Sequence, residues 1–235
     1  MILPKNKLKI KKKIKVPKVA SVSLKSKPIL FSKIVIIHSP KTGGTSIKDS
    51  LKHYMRDFPY DMYHATAQQM LTRGLDTNKT FTFAFIRNPY DRFVSFYYYF
   101  LQRVDAGFLN TKIYNQIKDK SFVEFCYYFK RKKLPIDFFK PQYHYIAGIK
   151  PNFIGRYEHL RRDWKKLLVT INKHTTFDIP LDKPLSWFRK SKHKDYRTYY
   201  TASSRKIVFE YYKKDFEIFK YSPDLYFSPK IDSKL

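Results

Sequence analysis

The stretch from Lys33 to Leu51, KIVIIHSPKTGGTSIKDSL, constrains the fold of this chain more than any other part of it. It begins with four consecutive apolar residues, continues through a glycine-containing turn, and ends in a segment whose apolar residues have helical spacing. The order strand, tight loop, helix predicts an α/β unit. Unpaired backbone N–H groups and the positive end of the helix dipole converge where such a loop enters its helix, so we expect an anion site there.

The residues of this loop indicate that the anion is phosphate-like. Gly43 and Gly44 have no Cβ atom, which lets the backbone approach a ligand closely. Lys41 offers a mobile positive charge. Three hydroxyl side chains add hydrogen-bond donors: Thr42, Thr45 and Ser46. Because the lysine precedes both glycines, whereas it follows the last glycine in the GxxxxGK[ST] pattern, the loop is not that of a phosphoryl-transferring kinase.

A second motif, from Thr80 to Phe100, reads TFTFAFIRNPYDRFVSFYYYF. Its first part predicts a strand that ends at Arg87, and the Asn-Pro dipeptide that follows predicts a turn into a helix. Arg87 would then lie at the carboxyl end of a strand, where ligands bind in open α/β sheets, and Ser95 about two turns into the helix. Guanidinium groups match phosphate oxygens in a bidentate way, so this turn also suits a phosphate. We interpret Arg92 as structural, paired with an acid.

Several strings of this sequence resemble those of sulfotransferases, specifically of the carbohydrate type. HSPKTGGTS is similar to the family's 5'-phosphosulfate loop and RNPYDRFVS to its 3'-phosphate site, while FIGRYEHL and HKDYRTYY are similar to two later elements. The resemblance implies an α/β, P-loop-like, three-layer sulfotransferase fold with a central parallel sheet flanked by helices. It also implies the donor 3'-phosphoadenosine 5'-phosphosulfate (PAPS), a hydroxyl-bearing acceptor, and no metal.

The resemblance also implies which residues bind the donor. The 5'-phosphosulfate would lie on the loop from Lys41 to Ser46, and the 3'-phosphate on Arg87 and Ser95. A basic segment near the end of the chain would close over the nucleotide, with Lys192 and Arg197 as candidates. Lys41 is a candidate catalytic residue as well, because its charge would stabilise the bridging oxygen as the S–O bond breaks.

The candidate general base is His64. In the resembling family a histidine after the first helix takes the proton of the acceptor hydroxyl, and imidazole suits that task because its pKa lies near neutral pH. The alternative is that His64 caps or packs against the start of a short helix. Three further histidines are alternatives for the base: His38, His53 and His144.

The chain is strongly basic, with 48 Lys and Arg against 19 Asp and Glu and a net charge of +29. Such a field attracts nucleic acid, anionic lipid and acidic glycans without selecting among them. The alternative function is therefore a non-enzymatic polyanion- or nucleic-acid-binding protein on a degenerate nucleotide-binding scaffold. No nucleic-acid-binding signature is present, which argues against nucleic acid as a partner. The resemblance to carbohydrate sulfotransferases implies a glycan acceptor instead, anionic or neutral, and the basic charge suits peripheral contact with acidic surfaces.

We divide the chain into a flexible basic arm (1–30), a sulfotransferase domain (31–221) and a C-terminal tail (222–235). Ten lysines and no acids lie in the arm, and its prolines interrupt any continuous helix. Cys126 is the single cysteine, so no intrachain disulfide can form. The sequence lacks the apolar run of a signal peptide or a membrane-spanning helix, which favours a soluble, cytoplasmic protein.

The rest of the pattern predicts further elements. The first helix should run from Thr45 to Arg56, and the weakly patterned stretch from Arg103 to Lys120 should be a loop near the acceptor. Ser121 should cap a helix that ends at Phe129. A short strand from Phe153 to Tyr157, a helix from about Glu158 and a terminal helix should follow.

Overall fold

A computed structural model describes residues 30–55, 64–103, 108–131, 134, 139–186 and 191–225. The predicted arm, apart from Leu30, and the predicted tail beyond Leu225 lie outside these ranges. The strands are β1 (Lys33–Ile37), β2 (Thr80–Ile86) and β3 (Phe153–Arg156); the helices are α1 (Gly44–Leu51), α2 (Ala67–Thr72), α3 (Pro89–Gln102), α4 (Phe108–Ile117), α5 (Phe122–Lys130), α6 (Gln142–Ile146), α7 (Leu160–His174) and α8 (Ala202–Phe219). None of these helices has both the length and the apolar character that crossing a membrane requires.

The three strands form one parallel sheet in the order β1-β2-β3. Ile36 lies opposite Phe83 on the neighbouring strand, and Ala84 lies opposite Ile154. Parallel neighbours need crossover connections, which are supplied by α1 and α2 before β2 and by α3 to α6 before β3. The central strand β2 is buried along its whole length, as its nearly continuous apolar sequence predicts. All three carboxyl ends therefore lie at one edge of the sheet.

Helices cover both faces of the sheet. Alternate residues of a strand point to opposite faces, so Ile36 and Phe83 pack with α1 and α7, while Ile37 and Ala84 pack with α2 and α6. The buried stripe of α7 follows helical spacing: Leu160, Trp164, Leu167, Leu168 and Ile171. This helix–sheet–helix arrangement confirms the predicted α/β fold with a parallel sheet flanked by helices.

A second core lies among α3, α4, α5 and α8 and is largely aromatic. The ring centroids of Phe93 and Phe125 are 5.2 Å apart, and those of Phe96 and Phe139 are 4.8 Å apart. Cys126 is fully buried in this cluster, and desolvation raises the pKa of its thiol. The cysteine is therefore a packing residue rather than a nucleophile.

The structure corrects two of the predicted elements. The stretch predicted as a loop between Arg103 and Lys120 contains α4, whose Ile113 and Ile117, four residues apart, are buried. The apolar residues of this stretch are interrupted by polar ones and gave too weak a pattern to predict the helix. The first helix begins at Gly44, ends at Leu51 and continues as a 3-10 turn to Tyr54, which is shorter than the prediction. The capped helix after Ser121 is confirmed, with a capping box to Glu124.

Candidate functional site

The loop between β1 and α1 has an unusual backbone. Lys41 (φ 69°) and Gly43 (φ 82°) both adopt the left-handed conformation, which is costly for a lysine. Thr42 is 1% exposed, and its hydroxyl donates a 2.8 Å bond to the Ser39 carbonyl, so the loop is braced from within. The loop leads directly into the N-terminus of α1, the arrangement that binds anions in other proteins.

A neighbouring ring leaves no space for a side chain at Gly44. A Cβ atom at this position would lie 2.1 Å from Cδ2 of His38, which is 4% exposed. The imidazole of His38 thus fills the space that the glycine leaves at the start of α1. The sequence indicated close approach of a ligand; the packing of His38 is a further reason that could not be read from the spacing.

Arg87 connects the second predicted phosphate turn to the first. Its Nη1 donates to the Lys41 carbonyl at 3.2 Å, and its Nε and Nη2 donate to the two carboxylate oxygens of Asp91 at 2.7 and 2.8 Å. The guanidinium also lies 4.1 Å from the ring centroid of Tyr157. Burial would lower the pKa of Arg87, but the charge and hydrogen bonds of Asp91 outweigh it and raise that pKa. The two turns therefore lie side by side.

The expected acid partner of Arg92 is wrong. Among the described residues, the hydrogen bonds that Arg92 donates go to carbonyl oxygens, of Pro40 at 2.9 Å and of Lys140 at 3.0 Å. Asp91 instead binds Arg87, because positions four apart at the start of a helix face each other and position 92 points elsewhere. Arg92 is fully buried, so it holds the loop from beneath.

Sequence reasoning missed a buried amide that fixes the backbone of Arg87. The side chain of Gln142 accepts a 2.8 Å bond from the Arg87 N–H and donates a 2.8 Å bond to the Arg87 carbonyl. Asp215 on α8 in turn accepts the backbone N–H groups of Gln142 and Tyr143, each at 2.8 Å. Desolvation raises the pKa of this fully buried carboxyl group. The residues PQYHY at 141–145 carry this glutamine, but nothing in their spacing or charge indicates its role.

Ser95 and Lys192 come close to each other through Ser191. The Ser95 hydroxyl is 1% exposed and lies 3.1 Å from the hydroxyl of Ser191. The side chain of Gln102 pairs with the backbone of Lys192, accepting its N–H at 3.1 Å and donating to its carbonyl at 2.8 Å. Arg197, in contrast, forms a 2.5 Å ion pair with Asp195 at the surface. The structure thus places the Lys192 segment, rather than the Arg197 guanidinium, against α3.

His64 is held in one tautomer. Its Nδ1 lies 3.2 Å from the His38 carbonyl, which can only accept, so Nδ1 carries the hydrogen and Nε2 keeps its lone pair. Desolvation of the ring lowers the pKa of His64 to about 4, and the charges of Lys48, Arg92 and Lys41 act in the same direction. The cap of α2 is Thr66, which accepts the Gln69 N–H, so His64 does not cap that helix. His64 is therefore neutral at physiological pH.

The other three histidines differ from His64 in their surroundings. His53 lies exposed in the 3-10 turn after α1, and His144 lies exposed on α6. His38 is buried, with its ring centroid 4.5 Å from that of His64. His64 thus combines a defined tautomer with access to solvent.

The site is strongly electropositive. The Lys41 ammonium lies 4.1 Å from the ring centroid of Tyr99, and Lys48 is half-buried one turn into α1. Arg87 and Arg92 donate hydrogen bonds to carbonyls of the same loop, so positive side chains lie next to it, which favours an anionic ligand. In the part of the chain that the structure describes, no group of three or more His, Cys, Asp or Glu side chains could hold a metal ion.

Comparison with known proteins decides the family. A family model described as "Sulfotransferase family" matches residues 14–222, most of the chain. The chain belongs to the sulfotransferase family. No curated protein and no solved structure matched it. The predicted resemblance is thereby confirmed, and this sulfotransferase is a transferase of sulfuryl groups.

Proposed function

We propose that this sulfotransferase transfers the sulfuryl group of PAPS to a hydroxyl group of a carbohydrate. The single observation that carries the proposal is the 3.2 Å hydrogen bond from Arg87 to the Lys41 carbonyl, which puts two basic, hydroxyl-bearing turns next to each other. Two such turns suit a ligand with two phosphate-like groups. Family membership makes sulfuryl transfer the reaction.

The donor would lie along the carboxyl edge of the sheet. Its 5'-phosphosulfate would bind the loop from Lys41 to Ser46 and the N-terminus of α1. Its 3'-phosphate would bind Arg87 and Ser95, with Lys192 as a further cation. The Arg87 guanidinium gives three of its five N–H groups to Asp91 and Lys41, which leaves two for a phosphate.

Transfer would proceed by attack of the acceptor oxygen on sulfur. His64 Nε2 accepts the hydroxyl proton, the new O–S bond forms, and the bond from sulfur to the 5'-phosphate oxygen breaks. The products are the sulfate ester and adenosine 3',5'-bisphosphate. Lys41 stabilises the negative charge that develops on the leaving oxygen. The low pKa of His64 keeps this base unprotonated at neutral pH, but it also makes His64 a weaker proton acceptor than the unperturbed imidazole that the sequence suggested.

Calorimetry with adenosine 3',5'-bisphosphate tests the donor site. We expect a Kd of about 1 µM and much weaker binding of ATP with magnesium. Failure to bind the bisphosphate would instead favour the polyanion-binding alternative, and preference for the triphosphate would favour a kinase.

Transfer of labelled sulfate from PAPS to a panel of neutral and acidic glycans then tests the acceptor class. Transfer only to non-carbohydrate alcohols or peptides would overturn the carbohydrate part of the proposal.

A further inference from the structure

The backbone of Arg87 is held by a side chain instead of by a neighbouring strand. The last residue of β2 that pairs with β3 is Ile86, which lies opposite Arg156. At the next position the amide of Gln142 takes over the pairing, since it accepts the Arg87 N–H and donates to the Arg87 carbonyl, both at 2.8 Å. The amide therefore fixes the backbone from which the guanidinium extends.

The amide of Gln142 is itself held in one orientation. Its Nε2 lies 2.8 Å from the Arg87 carbonyl and 3.4 Å from the Asp215 carboxylate, which both accept, so Oε1 is the atom that faces the Arg87 N–H. Asp215 also accepts the backbone N–H groups of Gln142 and Tyr143. Gln142 is 1% exposed and Asp215 is fully buried, so solvent does not compete for these bonds.

The other end of the Arg87 side chain is fixed as well. The guanidinium donates to Asp91 and to the Lys41 carbonyl, and it lies over the ring of Tyr157. With both ends held, the remaining N–H groups have a fixed orientation before a ligand binds. Preorganised donors bind an anion more tightly than mobile ones, because less conformational freedom is lost on binding.

We propose that Gln142 is a positioning residue for recognition of the donor's 3'-phosphate, and that α8 contributes to this recognition through Asp215. Gln142 acts through Arg87 and not by contact with the donor. This inference rests on the proposed function and names the group of the donor that the buried amide helps to select. The loop between β1 and α1 is braced separately, by bonds from Arg92 and Thr42, so binding of a 5'-phosphate alone should not depend on the amide.

Calorimetric titration with two nucleotides tests this inference. Adenosine 3',5'-bisphosphate carries the 3'-phosphate and adenosine 5'-monophosphate lacks it, so the ratio of their Kd values measures recognition of that group. The variants are Gln142→Met, which keeps the size of the side chain without its hydrogen bonds, and Gln142→Asn, whose amide is one methylene shorter. Neither substitution changes the charge of the chain.

The matched control is Asn172→Leu. The amide of Asn172 pairs with the backbone of Ile179 in the same way, donating to its carbonyl at 2.8 Å and accepting its N–H at 2.9 Å. Asn172 lies in the last turn of α7, whereas the first residue of that helix, Leu160, is the one that lies close to Gly43. The control thus removes the same kind of bond at the opposite end of the helix.

We expect the wild type to bind the bisphosphate more tightly than the monophosphate. Gln142→Met should weaken binding of the bisphosphate about tenfold and that of the monophosphate less than about twofold. Gln142→Asn should give an intermediate loss. Asn172→Leu should leave the ratio of the two Kd values unchanged. Both Gln142→Met and Asn172→Leu should lower the free energy of unfolding in urea, because each leaves backbone groups without their partner.

A ratio that is unchanged in Gln142→Met, or that Asn172→Leu lowers equally, would show that the amide serves stability alone and would overturn the inference. If Gln142→Met shows no cooperative unfolding transition, the ratio in Gln142→Asn decides in the same way. A wild type that fails to bind the bisphosphate, or that binds both nucleotides equally, would overturn the proposed donor site itself and the inference with it.

Discussion

Lys41 combines a strained backbone with the charge that the proposed chemistry needs. Its φ of 69° is a conformation that glycine adopts at lower cost, yet the position carries a lysine. Strain of this kind costs about 1–3 kcal/mol and persists only where the surroundings enforce it. The carbonyl of the same residue accepts the bond from Arg87, so the backbone of Lys41 supports the loop while its side chain is left to the role that we propose for it.

We therefore predict that Lys41→Gly lowers activity strongly but changes stability little. Removal of the ammonium should reduce kcat by about 10³-fold, since it removes one preorganised electrostatic contact. The relieved strain should offset the flexibility of glycine, so the free energy of unfolding should stay within about 1 kcal/mol of the wild-type value. Steady-state kinetics and urea unfolding measure both quantities. A variant that is fully active would exclude Lys41 from the chemistry.

The tautomer and pKa of His64 predict the pH dependence of the reaction. A group with a pKa of about 4 is protonated, and unable to act as a base, only when the pH falls through about 4. The acid limb of kcat/KM should therefore lie near pH 4 rather than near 6.5, the value of an unperturbed histidine. A pH–rate profile of the wild type, with the residual activity of His64→Gln as control, measures this. An acid limb near 6.5, or one that survives in His64→Gln, would contradict the assignment.

At the level of elements, the start of α1 and the end of β1 fit each other through one contact. The His38 ring occupies the position of a Cβ at residue 44, so glycine there is fixed by the residue that follows β1 rather than by the helix. In a helix, alanine is favoured over glycine by about 1 kcal/mol when space allows. Gly44→Ala should consequently change the free energy of unfolding in opposite directions in the presence and in the absence of the His38 ring.

We predict that Gly44→Ala destabilises the wild type by about 1–3 kcal/mol through overpacking. In the His38→Ala background the same change should be neutral or stabilising, because the ring is gone. A double-mutant cycle by urea unfolding measures the coupling between the two positions. Additive free energies would show that the contact does not determine the residue at position 44.

The elements also show how far sequence alone could go. The strand, loop and helix around Lys41 were predictable because an apolar run, glycines and helical spacing are local signals. The carbonyl partners of Arg87 and Arg92 were not, since they lie 46 to 52 residues away in the sequence. Gln142 and Asp215 were missed for a related reason: they are 73 residues apart, and only the packing of α6 on α8 brings them together.

At the scale of the whole molecule, the domain boundary at residue 31 remains a prediction. The backbone N–H of Phe31 donates a 2.8 Å bond to the carbonyl of His174, which ties this residue to the end of α7. Deletion of residues 1–29 should leave the melting temperature and the affinity for adenosine 3',5'-bisphosphate unchanged. Differential scanning calorimetry and titration of the shortened chain measure these. A lower melting temperature would make the basic arm part of the folded domain.

Two arginines of the same short segment donate hydrogen bonds to consecutive carbonyls of the loop between β1 and α1, Arg92 to that of Pro40 and Arg87 to that of Lys41. A shift of the segment would consequently be transmitted to the loop as a rigid-body movement. A donor that lacks the 3'-phosphate would then bind with lower affinity, and its sulfuryl group would also be less well aligned for transfer. The enzyme would then discriminate between adenosine 5'-phosphosulfate and its 3'-phosphorylated form through kcat as well as through binding affinity.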